Sequence, residues 1–194
     1  MSIQQVAIIT GAADGIGKAV ALRLASDGYD VVVADLPTQR RSMDGVIQQV
    51  KETTGRRAIA FEVDVSKEDQ VKALVRVAVD QLGGLDVVRQ PSLAIDQVFS
   101  HSRSQMVANA GVSVMTPLLD STNYFFILFY RKPHTRIQLA SLDEWEDVFR
   151  VNSTGAFLCY REAAKSMIER GIKGRIVGAC STAGKKSDES PILP

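Results

Sequence analysis

The sequence has little with which to bind by bulk charge, cross-link itself or anchor in a membrane. Lys and Arg number 23 against 22 Asp and Glu, a formal net charge of +1. That balance excludes a protein that grips nucleic acid or an anionic membrane through net charge. Two cysteines, Cys159 and Cys180, cannot build a disulfide framework, and their scarcity predicts a reducing compartment, the cytoplasm. Histidines number only 2, and no Cys/His cluster stands at ligand spacing, so no metal site is predicted. The start, MSIQQVAIIT, lacks the basic residues, apolar run and small-residue cleavage site of a secretory signal. The longest purely apolar or aromatic run, Tyr124 to Tyr130, is far below the roughly 20 residues of a spanning helix. What remains is 194 residues, 45% hydrophobic and 23% charged. This suits a single globular domain over 1–194, with a sizeable core and no room for a second full domain.

The first motif is a strand, a glycine turn and a helix. Val6-Ala7-Ile8-Ile9 reads as a buried strand. Thr10-Gly11-Ala12-Ala13-Asp14-Gly15-Ile16-Gly17 follows, then a helix with Val20, Leu22, Leu24 and Ala25 as apolar positions, stopped at Asp27-Gly28. A second strand over Asp30 to Ala34 ends at Asp35. Strand, glycine-rich turn, helix, strand and acidic residue open a dinucleotide-binding βαβ unit. Glycines let the backbone approach a pyrophosphate, and the free N–H groups at the helix start receive its charge. The Asp35 carboxylate can accept hydrogen bonds from ribose hydroxyls and would repel a 2′-phosphate, which favours NAD(H). Arg40 and Arg41 leave NADP(H) open, although Asp35 holds the nearer position and a solvated loop or helix start suits both arginines.

The alternation continues. Ala58 to Val63 reads as a third strand, followed by Asp64-Val65. Ser66 reads as an N-cap, with Asp69 three residues on in a variant of the capping box. The helix carries Val71, Leu74, Val75, Ala78 and Val79 at helical spacing, runs to about Leu82 and stops at Gly83-Gly84. Leu85-Asp86-Val87-Val88 starts a fourth strand. Buried strands alternating with helices predict an α/β fold: a doubly wound parallel sheet in three αβα layers. Ligands of such sheets sit at the carboxyl ends of the strands. Asp35, Asp64 and Asn109-Ala110-Gly111 all fall at strand ends and should share one rim.

Taken together these pieces resemble the short-chain dehydrogenase/reductases of the classical type, a Rossmann-type family. The resemblance rests on Thr10 to Gly17 for T-G-x-x-x-G-I-G, on Asp35, on Asp64-Val65 and on Asn109-Ala110-Gly111. It also rests on Asn152 within Val151-Asn152-Ser153-Thr154-Gly155 and on Ser181 at the end of Gly174 to Ser181. Ala179-Cys180-Ser181-Thr182-Ala183-Gly184 is most similar to the diacetyl/acetoin reductases, the 2,3-butanediol dehydrogenases. The resemblance implies a nicotinamide dinucleotide bound by Thr10, Gly11, Asp14, Gly15, Ile16, Gly17, Asp35, Asp64, Val65, Asn109, Ala110 and Gly111. It implies a small ketone, diketone or secondary alcohol as substrate, and a homo-oligomer, dimer or tetramer.

In the family a Tyr gives the proton to the carbonyl oxygen, and a Lys four residues later lowers its pKa. A Ser hydroxyl holds the same oxygen, and an Asn supports a proton-relay water. Ser181 and Asn152 match the last two. The Tyr would fall at or just beyond Pro194, and no Tyr of this sequence has a Lys four residues on. Tyr160 has Ala164 there, with Lys165 one place late. The fold is therefore expected to be incomplete on its C-terminal side, with doubtful turnover; non-catalytic dinucleotide binding and an unstable product are the alternatives.

Two segments depart from the family. Removing 88–105 joins Leu85-Asp86-Val87 to Met106-Val107-Ala108-Asn109-Ala110-Gly111, the continuous strand and turn that the family expects. The second, about 121–140, carries Tyr124, Phe125, Phe126, Phe129 and Tyr130, and His101 and His134 both lie in these two segments. Val88 begins with a GT codon and Gln105 can end in AG, so translated introns are one reading and surface loops the other. Either way 88–105 should loop out, or the strand should break. Trp145, Val148, Phe149, Phe157 and Leu158 have helical spacing and read as core or, in this family, as an oligomer-forming helix.

Overall fold

Alternation within the strands sets the layers. In β1 (Val6–Thr10) every residue is buried, with Val6 and Ile8 packed in one apolar cluster and Ala7 and Ile9 in another. β2 (Asp30–Asp35) repeats this, with Val32 and Ala34 in the first cluster and Val31 and Val33 in the second. Successive side chains of a strand point to opposite faces, so a run apolar at every position demands cover on both. Each buried Val or Ile contributes about 1.5–3 kcal/mol relative to exposure. The computed structural model describes residues 5–83, 104–112 and 142–180.

The first cluster is covered by α3 (Glu68–Leu82) through Val71, Leu74 and Ala78, and by α5 (Ala156–Glu169) through Leu158, Ala163 and Met167. The second is covered by α1 (Gly15–Ser26) through Ala21 and Ala25, and by α2 (Arg40–Thr54) through Met43, Val46 and Val50. In α1 the fully buried positions are Gly17, Ala21 and Ala25, while Val20, Leu22 and Leu24 are half-buried. A stripe of small residues seats this helix on the sheet, where the periodicity had pointed to its larger side chains. α3 ends at Gly83, whose φ of 62° only glycine adopts cheaply, as expected.

The five strands are parallel in the order β3-β2-β1-β4-β5, with β3 at Ala58–Glu62, β4 at Ser104–Ala108 and β5 at Arg175–Gly178. This is the Rossmann-type sheet expected from the sequence. The order reverses direction between β1 and β4, and the crevice at such a point is where ligands bind. β3 stops one residue short of the expected Val63, whose N–H instead donates to the Asp35 carbonyl. Ser66 does not cap α3: its hydroxyl donates to Asp64 Oδ1 at 2.7 Å, and Lys67 is the N-cap residue.

The expected start of the fourth strand, Leu85 to Val88, lies outside the described residues. Ser104 and Gln105, expected to loop out with the rest of 88–105, instead pair with Val6 and Ala7 of β1. The strand is therefore continuous across the point where the foreign segment was expected to end. Gln105 gains a polar partner there, donating from Nε2 to the Tyr29 hydroxyl at 2.8 Å. The segment 121–140 lies outside the described residues.

α4 (Leu142–Phe149) continues through a π-helical turn, Arg150–Gly155, into α5. The core reading of this stretch holds for Leu158 and fails for its aromatics. Trp145, Phe149 and Phe157 are 54%, 47% and 57% exposed. The side of α5 that packs into the core carries Leu158, Cys159, Ala163 and Met167 instead. Helical spacing identifies a face but not what covers it. Among the described residues no helix is long and apolar enough to cross a membrane.

Candidate functional site

The carboxyl ends of β1, β2 and β4 open into a cleft of about 490 Å³. Of the residues expected to bind a dinucleotide, Gly11, Asp14, Asp35, Asp64, Val65, Asn109, Ala110 and Gly111 line it. Thr10, Gly15, Ile16 and Gly17 do not line it; Thr10 and Gly17 hold its wall together. Thr10 Oγ1 accepts the N–H groups of Asn109 and Ala110 at 3.0 and 3.1 Å, tying the β4 turn to β1. The Asn109 side-chain amide donates to the carbonyls of Thr10 and Gly11, both at 3.1 Å. Gly11 has φ 63°, and a Cβ there would lie 2.9 Å from Ala110 Cα. Gly17 presses against the Gly11 carbonyl and the Asn109 amide, with no space for a side chain. Two glycines of the motif thus serve close backbone packing, as the tight turn requires.

Gly15 and Ile16 begin α1 and are exposed. Asp14 is the N-cap residue and makes no side-chain capping bond. The first-turn N–H groups of α1 lack intrahelical partners and carry the positive end of the helix dipole. This is the arrangement that accepts a phosphate.

Asp35 closes the other end of the cleft. Its Oδ2 accepts the Ala13 N–H at 2.9 Å and its Oδ1 accepts the Leu36 N–H at 2.8 Å. Leu36 and Gln39 line the cleft beside it, as do Ala13, Val63, Val112 and Val151. Ala13 and Val151 lie inside the motifs and Val63 follows the third strand, whereas Leu36, Gln39 and Val112 had no signal of their own in the sequence. Arg40 is the first residue of α2, as one reading of it allowed. Its guanidinium is paired with Asp44 at 3.1 Å and with Glu62 at 3.5 Å. Neither Arg40 nor Arg41 lines the cleft.

Asp64 Oδ1 accepts the Ser66 N–H and hydroxyl, which folds the chain back at the rim. Asn152 sits in the π-helical turn. Its Oδ1 accepts the Val112 N–H at 2.8 Å and its Nδ2 donates to the Val112 carbonyl at 2.6 Å. A single π turn inside an α-helix often marks a functional position. Ser181 lies outside the described residues. The chain leading to it follows β5, where the Ala179 N–H donates to the Ala108 carbonyl at 3.0 Å, next to the β4 turn.

Two features had no signal in the sequence. Glu162 is buried on α5 and paired with Arg161 at 2.7 Å and Lys165 at 3.4 Å. Burial pushes the Cys159 thiol up to about 11. Among the described residues no cluster could hold a metal ion.

The sequence model of the short chain dehydrogenase family matches residues 5–191. A short-chain dehydrogenase/reductase of Armillaria gallica is 36% identical over 182 residues, 94% of this chain and 55% of its own length. The (S)-acetoin-forming diacetyl reductase of Staphylococcus epidermidis is 33% identical over 187 residues, 96% of this chain and 57% of its own. Among solved structures, a short-chain dehydrogenase/reductase of Burkholderia phymatum in complex with NAD superposes with a TM-score of 0.67 at 25% identity, covering 96% of this chain and 53% of that one. The chain spans little more than half the length of each.

Proposed function

The chain belongs to the short-chain dehydrogenases, and from that membership we propose that it binds NAD(H) in this cleft and interconverts a small ketone or diketone, acetoin- or diacetyl-like, with a secondary alcohol. The observation that carries the dinucleotide is the Asp35 carboxylate at the rim. Each of its oxygens accepts one backbone N–H and keeps a lone pair for an adenosine ribose hydroxyl. A 2′-phosphate there would meet a carboxylate, while Arg40 is engaged by Asp44 and Glu62, so NAD(H) is favoured over NADP(H).

The residues present fit the group. Gly11, held close by Gly17, brings bare backbone to the cleft, and the start of α1 offers free N–H groups to a pyrophosphate. Bound nicotinamide supplies or accepts the hydride. In this reading Asn152 fixes the Val112 backbone at the cleft wall, and the Ser181 hydroxyl holds the substrate oxygen. The exposed Trp145, Phe149 and Phe157 favour a homo-oligomer through α4 and α5. Free cysteines suit the cytoplasm.

One observation favours a second reading, dinucleotide binding without turnover. Among the described residues no Tyr or Lys lines the cleft. Oxidation of NADH with diacetyl or acetoin as substrate separates the two. Turnover that Ser181→Ala abolishes supports the oxidoreductase; NADH binding with no turnover selects the second; no NADH binding overturns both.

A further inference from the structure

We infer that Gly155 is a positioning residue, which sets Asn152 against the cleft-lining Val112 by letting the π-helical turn rest directly on Val65. The inference rests on the reading of Asn152 as an active-site residue and adds what holds it there. Gly155 is buried, and its backbone is ordinary right-handed helix, with φ −62° and ψ −45°. Nothing in that conformation needs glycine. The reason lies across the contact: a Cβ on Gly155 would stand 2.7 Å from Val65 Cγ2, 3.3 Å from its Cβ and 3.4 Å from its carbonyl carbon.

Val65 cannot easily yield. It is 5% exposed, it lines the cleft, and a β-branched side chain is stiff at χ1. The clash is with Cγ2 itself; Cβ at 3.3 Å is only slightly tight and the carbonyl carbon at 3.4 Å is in ordinary contact. Close-packed interiors transmit such strain to whichever neighbour moves most easily. Here that neighbour is the π turn. It carries Asn152 three residues before Gly155, and its anchor is the pair of hydrogen bonds between Asn152 and the Val112 backbone. Val65, Gly155, Asn152 and Val112 thus form one chain of contacts from the cleft wall through the helix and back to the wall.

The sign of the effect distinguishes this role from a passive one. Alanine is the better helix former, so by propensity alone Gly155→Ala should stabilise the helix. The test is amide hydrogen exchange at Val112, whose N–H donates to Asn152, in chains carrying Gly155→Ala, Val65→Ala or both. Gly155→Ala is expected to speed Val112 exchange about tenfold, the scale of a modest overpacking strain, and Val65→Ala in the same chain to restore it. Should Gly155→Ala fail to fold, the double variant is expected to fold. Unchanged exchange in Gly155→Ala, or a double variant no better than the single, overturns the inference. NADH binding by the unaltered chain is measured alongside: its failure would sink the functional reading while leaving this coupling standing.

Discussion

Asp35 at the end of β2 accepts the N–H of Ala13 in the glycine turn at 2.9 Å, so one carboxylate joins the second strand to the loop after the first. That bond is local architecture as much as ligand recognition. It fixes the turn before any ligand arrives and leaves the same carboxylate facing the cleft. Removing the side chain should therefore loosen both the turn and its preference among dinucleotides.

Gly11→Ala tests the close approach of the turn to β4. The new Cβ would meet Ala110 Cα at 2.9 Å, and φ 63° is strained for any L side chain. The expected loss is about 2 kcal/mol or more. A urea melt should show a lower midpoint with an unchanged slope. Gly28→Ala is the control, since it shares a positive φ but meets nothing within 4 Å, and it should cost less.

Thiol labelling of the native chain should modify Cys180 and spare Cys159. Cys180 is exposed, whereas Cys159 is buried with its thiol pushed up to about 11, so it presents almost no thiolate near neutral pH. Mass spectrometry after a maleimide pulse should find one adduct in the native state and two after denaturation. Rapid double labelling without denaturant would contradict the packing of α5.

Acid stability should depend on Glu68. Hydrogen bonding to Lys72, then the nearby Arg161 charge, hold its carboxyl below the ordinary 4.5. A folded-state value below the unfolded one stabilises the fold at pH above about 4.5 and loses that contribution as pH falls through the lowered value. Glu68→Gln should therefore narrow the gap in stability between neutral pH and pH below 4.5. The effect is small, because Glu68 and Lys72 are both exposed. An unchanged pH profile would show that the ion pairs of Glu68 with Lys72 and Arg161 do not operate in solution.

The βαβ opening was legible because three signals agree there: the apolar run Val6 to Ile9, the glycine turn and Asp35. The glycines were legible as a motif but not in their division of labour. Gly11 and Gly17 close the packing, while Gly15 meets nothing, and only three-dimensional neighbours reveal that. The aromatics of α4 and α5 misled because a period of 3.6 gives the same stripe whether the sheet or a partner covers it. Ser104 and Gln105 were hidden for a different reason. They are polar residues in a strand that pairs with β1, and Tyr29 offers Gln105 a hydrogen bond there. The pairing of Asn152 with Val112 joins residues 40 positions apart, beyond the reach of any local pattern.

The most direct test is a calorimetric titration of the chain with NADH and NADPH, repeated on Asp35→Ala. NADH should bind more tightly than NADPH, by about tenfold if Asp35 makes one charge-assisted hydrogen bond to the ribose. Asp35→Ala should weaken NADH and shrink or reverse the difference. No binding of either dinucleotide, or an unaltered preference without Asp35, would contradict the assignment of this cleft.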